Sequence, residues 1–161
     1  MRLAILLGLA IACASCAMQP SASDANEDAR DAPWLELGTG LMAYEALPDE
    51  DATLELVQGP QGGWHVHLSL RAHDFAPTGL TYEITRVRDG RVVCLLPLGV
   101  REGTFVRRDD VIERVGDFAI FDVHDPAEVL GEAVVVRATL YDASTRSIED
   151  VIDARIVDEV E

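Results

Sequence analysis

Apolar and polar residues alternate most cleanly over Trp64-His-Val-His-Leu-Ser-Leu-Arg71. Trp64, Val66, Leu68 and Leu70 fall on one side of an extended chain, and His65, His67, Ser69 and Arg71 on the other. Successive side chains of a strand point to opposite faces, so this spacing predicts a half-buried β-strand. The same period of two recurs along the chain. Residues 34–38 and 41–46 are short strand candidates, and residues 53–57 alternate with Leu54 and Leu56 on one face. The loop Gly59-Pro-Gln-Gly-Gly63 then predicts a hairpin with Gln58 opposite Trp64, Leu56 opposite Val66 and Leu54 opposite Leu68. That register also sets Val57 opposite His65 and Glu55 opposite His67.

Further along, Pro77-Thr-Gly79 reads as a break, followed by a strand with Leu80, Tyr82 and Ile84 inward. Asp89-Gly90 predicts a hairpin of type I′, whose two central residues need positive φ. Residues 91–97 are apolar on both faces and read as a central strand, with Pro97 ending its ladder. Residues 109–116 fit one or two helical turns, or a loop. A strand is expected at 118–123. Asp125-Pro-Ala-Glu-Val-Leu-Gly131 carries an N-cap acid, a first-turn proline and a closing glycine, which predicts a single helical turn. The last two strands have Val134, Val136, Ala138 and Leu140, then Ile152, Ala154 and Ile156, on their core faces. Many short strands with frequent turns and almost no helix predict an all-β fold. The expected form is an antiparallel β-sandwich, immunoglobulin-like in broad architecture, with one or two short helical turns. A small barrel is the alternative. No Cys…Trp…Cys spacing is present, so the immunoglobulin-like label rests on strand count alone.

The first residues break this pattern. Met1-Arg-Leu-Ala-Ile-Leu-Leu-Gly-Leu-Ala-Ile-Ala12 has one positive residue and then an unbroken apolar run, too short for a membrane span. That is an export signal. Cys13-Ala-Ser-Cys16 follows it, and small residues before a cysteine at this point resemble the lipobox of bacterial lipoproteins. In that family the cysteine becomes the first mature residue and carries the lipid. Ala14 and Ser15 before Cys16 fit the pattern, while Cys13 stands where the family usually has an aliphatic residue. The resemblance implies lipidation at Cys16, with Cys13 as the alternative site. Ordinary cleavage after Ala17 would instead give a soluble secreted or periplasmic protein. Neither cysteine is followed by Asp, which in the family's sorting rule points to the outer membrane.

The expected organisation is a signal peptide over 1–15, an acidic tether over 16–33 and a β-sandwich domain over 34–161. The stretch Gln19-Pro-Ser-Ala-Ser-Asp-Ala-Asn-Glu-Asp-Ala-Arg-Asp-Ala-Pro33 has no hydrophobic period and too little apolar surface to offset its ordering entropy, so disorder is expected there. The whole arrangement resembles a loosely defined set of uncharacterised bacterial lipoproteins. Their small β-domains carry a Gln-Gly-Gly-aromatic-His segment, here Gln61-Gly-Gly-Trp-His65. That resemblance implies no known activity.

Composition narrows the partners. Of the 161 residues, 48% are hydrophobic, enough for one core. There are 13 Lys+Arg against 29 Asp+Glu, and the only basic residue of the leader is Arg2. Such a surface repels phosphate backbones and anionic lipid heads, so nucleic acid is not an expected partner. With Cys13 removed and Cys16 lipidated, Cys94 is left alone and no intrachain disulfide forms. Its apolar context, Val92-Val-Cys-Leu-Leu96, predicts an inert buried thiol.

No nucleophile elbow, phosphate loop, dinucleotide fingerprint or zinc-type cysteine pair occurs, so no catalytic activity and no cofactor are expected. The one constellation with chemical content is His65-Val-His67. Two His at i and i+2 of a strand share a face about 7 Å apart and can converge on one Zn or Cu ion. Glu55 would be a third ligand, and His73 or His124 a fourth. The bland alternative is a solvated polar face. The acidic turn Pro48-Asp-Glu-Asp51 lacks the ligand spacing of a calcium loop. The leading expectation is a lipid-anchored cell-envelope protein presenting a β-sandwich binding or structural module to an envelope protein or polymer. An envelope metal-binding protein using His65, His67 and Glu55 is the alternative, and a hydrolase of unrecognised type a third.

Overall fold

The computed structural model describes residues 32–101 and 103–158. The expected signal peptide, Cys13, Cys16 and nearly all of the expected tether lie outside the described residues. Ten strands follow in order: β1 (Trp34–Thr39), β2 (Glu45–Ala46), β3 (Ala52–Gln58), β4 (Trp64–His73), β5 (Pro77–Arg86), β6 (Val92–Gly99), β7 (Val106–Arg108), β8 (Val111–Ile120), β9 (Ala133–Asp142) and β10 (Ser147–Asp158). A single 3-10 turn, Pro126–Glu128, precedes β9. No helix among the described residues is long and apolar enough to cross a membrane.

The hydrogen-bonded path runs β2-β1-β4-β3-β10-β9-β5-β6, with β8 and β7 continuing from the other edge of β4. Two layers result. One holds β2, β1, β4, β8 and β7; the other holds β10, β9, β5 and β6. Strand β3 belongs to both, because its end pairs with β4 and its start with β10. Every pair is antiparallel except β3 with β10. The fold is therefore all-β and sandwich-like, as the alternation predicts. Val66, Leu68, Leu70 and Ala72 of β4 join Leu80, Tyr82 and Ile84 of β5 and Val134, Val136, Ala138 and Leu140 of β9 in one core.

Several local expectations are corrected. The Gly59–Gly63 loop does make a hairpin, with Gln58 opposite Trp64 and Val57 opposite His65. The ladder stops there. Strand β3 then leaves β4 and runs parallel to β10, so Leu56 faces Asp158, Glu55 faces Val157 and Leu54 faces Ile156. Only Glu45 and Ala46 of residues 41–46 are strand. The expected break at 77–79 is an irregularity within β5 rather than a gap. Strand β6 is an edge strand, not a central one, and Leu95 on it is 62% exposed. Its ladder continues past Pro97, which pairs with Thr81. An edge strand has one side without a strand partner, where a missing N–H breaks no ladder bond.

The hairpin at Asp89-Gly90 forms, but not through a type I′ turn. Of these two residues only Gly90 has positive φ. The Gly90 N–H donates to the Arg86 carbonyl and the Arg86 N–H to the Arg91 carbonyl, each at 2.9 Å, which closes a four-residue loop. The Asp89 carboxylate grips the Arg86 guanidinium across it. Residues 109–116 are not helical: the chain turns at Asp109 and Asp110, then enters β8. The expected turn at 125–131 is present and carries a full capping box, Asp125 receiving the Ala127 N–H at 2.9 Å.

Candidate functional site

The site is built on β4 and β8, which pair along nearly their whole length. Ile112 opposite Ala72 and Arg114 opposite Leu70 face the core. A regular strand would next send Gly116, Phe118 and Ile120 inward. It does not, because the register shifts between Leu68 and Leu70. Leu68 faces Asp117 and Leu70 faces Arg114, so Ser69 alone spans Val115 and Gly116. One extra residue on one strand is a β-bulge, and it exchanges the two faces of everything that follows. Asp117, Ala119 and Phe121 therefore turn inward and are buried. Phe118 and Ile120 turn outward and are 50% and 58% exposed.

Sequence supports the bulge at two points. Gly116 has a φ of 70°, a region that side chains disfavour. Ser69 is fully buried. Its hydroxyl donates to the Gly40 carbonyl at 2.8 Å and accepts the Gly116 N–H at 3.1 Å, tying the bulge to the loop after β1. On the inner side, Arg114 and Asp117 flank the bulge and pair with each other at 2.5 and 2.6 Å. The Tyr82 hydroxyl, from the opposite layer, donates to Asp117 Oδ2 at 3.0 Å. Burial first, then the Asp117 charge, push the Tyr82 hydroxyl well above its ordinary value, so it remains a donor.

On the outer side, the exposed residues meet the two histidines. Phe118 pairs with His67 and Ile120 with His65. The His65 and His67 ring centroids lie 5.1 Å apart, with the Phe118 ring 4.9 and 5.0 Å from them. The face is not the solvated polar one the alternation suggests: His65 is only 5% exposed. Burial, then the neighbouring His67, hold its imidazole below the ordinary 6.5, so the ring is neutral at pH 7. The Nδ1 atom of His67 is buried and has no hydrogen-bond partner. Beside them the Gly59–Gly63 loop closes a groove of about 410 Å³, lined by Gly59, Pro60, Gln61, Gly63, His65, Phe118 and Ile120. No carboxylate is among its described lining residues, although the chain carries a net charge of −16.

The other expected ligands are dispersed. Glu55 lies across a second cleft that it shares with His67, Thr39 and Glu45, and it is not opposite His67 in the ladder. His73 sits at the far end of β4, stacked on Trp34 and 3.1 Å from Asp110. His124 is exposed in the loop before the 3-10 turn. Among the described residues, no group of three His, Cys, Asp or Glu is arranged to hold a metal ion. Cys94 is buried, and burial pushes its thiol up to about 11, consistent with an inert side chain. Sequence reasoning missed Phe118 and Ile120. The signal was Gly116, an isolated glycine in an otherwise strand-like run, which marks a bulge.

No family model, curated protein or solved structure matches this chain.

Proposed function

We propose that this chain is a lipid-anchored cell-envelope protein, held at the outer membrane through Cys16, whose β-sandwich is a binding module. Its binding surface is the outer face formed by Phe118, Ile120, His65 and His67 with the adjoining groove. One observation carries this reading: the bulge turns two large apolar side chains out of the core, beside a concave, uncharged groove. Bulges concentrate where a strand must re-aim a side chain, and contiguous exposed apolar residues on a soluble domain mark interaction sites. The ligand is an envelope protein or polymer with an apolar segment for the groove. Acyl anchoring places the domain where such partners are found, and no catalytic step is assigned. Crosslinked pull-down of the full chain from detergent-solubilised envelopes should recover one partner reproducibly, and Phe118→Ala/Ile120→Ala should lose it. Recovery that survives the double substitution, or no reproducible partner at all, would refute the reading.

A second reading, envelope metal binding, draws on the paired imidazoles and the unpartnered His67 Nδ1. His65 and His67 would supply two ligands to Zn or Cu, with water filling the open positions. Glu55 would join only by crossing the cleft it shares with His67. Equilibrium dialysis against zinc and copper decides it: stoichiometric binding abolished by His65→Ala/His67→Ala supports it, and binding equal to that of the double variant retires it.

A further inference from the structure

Eleven arginines fall among the described residues, and nine of their guanidiniums are engaged. Those of Arg71, Arg86, Arg88, Arg91, Arg108, Arg114, Arg137 and Arg146 pair with carboxylates, and that of Arg155 donates to the Gly131 carbonyl. Arg101 and Arg107 are the two whose guanidiniums have no partner among the described residues. In a chain with 29 acidic residues, unengaged cations are unexpected, and these two line the same cleft. It lies at the opposite end of β8 from Phe118, near Ile112, roughly 20 Å away at strand rise.

The cleft has about 210 Å³ of space. Phe75, Pro77, Val100 and Phe105 line it beside the two arginines, and no carboxylate is among the described lining residues. Asp74 and Asp110 lie in an adjoining cleft that shares Arg107, and Asp110 is already directed at His73. We infer that the cleft between Arg101 and Arg107 is a binding site for a small organic carboxylate with an apolar body. The two guanidiniums hold the carboxylate, for which their planar forks are suited, and the Phe105 and Phe75 rings contact the body. The volume falls below the range of roughly 300–1,000 Å³ typical of drug-sized ligands, so the ligand has about one ring or a short chain. This site is separate from the surface proposed above, and neither depends on the other.

Benzoate is the probe, titrated into isotope-labelled full chain while backbone amide shifts are followed. Saturable shifts centred on Gly103, Phe105 and Arg107 are expected. Benzyl alcohol, which keeps the ring and loses the charge, should bind about tenfold more weakly, as should inorganic phosphate, which keeps charge and loses the ring. Arg101→Gln/Arg107→Gln should weaken benzoate about tenfold and leave shifts elsewhere in the sandwich unchanged, since both side chains are exposed. Raising salt on the unmodified chain should weaken benzoate and not benzyl alcohol, an independent check on the charge. No saturable shift, equal affinity for benzyl alcohol, or full binding by the double variant would overturn the site. Phosphate binding as tightly as benzoate would overturn the ligand class.

Discussion

The Tyr82 hydroxyl shows what the bulge requires of individual residues. Turning Asp117 inward buries a carboxylate, and a buried charge is tolerated only when paired and hydrogen-bonded. Arg114 supplies the charge and Tyr82 a donor from the opposite layer. Tyr82→Phe should cost about 2 kcal/mol in denaturant unfolding, the range for a lost hydrogen bond to a charged group. A change within a few tenths of a kcal/mol would mean the hydroxyl is idle. His65 makes a second prediction. Its folded pKa lies below the ordinary 6.5, so the unfolded chain takes up the proton first. Its contribution to stability is complete above pH 6.5 and is lost as pH falls from there toward the lowered folded value. Between about pH 7.5 and pH 5, His65→Gln should therefore lose less of its urea midpoint than the unmodified chain does. Equal losses would remove His65 from the account. Both positions were half legible. Tyr82 was readable as inward from its alternation with Leu80 and Ile84. Its partner was not, since the parity of β8 depends on a residue-count mismatch with β4.

Among the elements, β8 departs furthest from expectation, and the reason is physical. Acids at 109 and 110 and a glycine at 116 imitate the ends of a short helix, yet the run between them lies beside β4 and its backbone groups are taken by that ladder. Gly116 is where the element is decided. A Cβ there would meet the Leu41 carbonyl oxygen at 2.7 Å on a backbone already at φ 70°. Gly116→Ala should lower stability by about 1–3 kcal/mol, from strain at positive φ and displacement of the Leu41 loop. It should also broaden the amide signals of Ser69, Phe118 and Ile120. An unchanged melting temperature would show that the bulge does not need glycine. Strand β6 erred in another way. Apolar residues on both faces of residues 91–97 predict a central strand, but the second apolar face is the exposed rim around Leu95. Hydrophobicity alone does not distinguish a buried face from an unpaired edge.

At the scale of the molecule, the dominant quantity is charge. A net −16 on 161 residues repels itself, and the ion pairs engage only part of the acid excess. Raising ionic strength from about 0.01 to 0.15 M shortens the screening length from about 30 to about 8 Å. The melting temperature should rise over that interval; a fall would mean that the exposed ion pairs outweigh the repulsion. The proposed anchor at Cys16 is tested at this scale too. Cys16→Ala should move the protein from the membrane fraction to the soluble one and abolish fatty-acid labelling. Labelling that persists would transfer the acyl chain to Cys13.

The sequence by itself determined which side chains enter the core of most strands, because the two-residue period of an extended chain depends only on local geometry. It also determined the 3-10 turn at Pro126, whose cap, proline and acid are neighbours in the chain. Tertiary structure decided the rest. Strand β3 leaves β4 for β10, which separates Glu55 from His67 in the ladder, and the bulge in β8 carries Phe118 and Ile120 to the histidines. Both are choices of partner between segments far apart in sequence. Such choices follow from packing two layers around one core, and no local pattern encodes them.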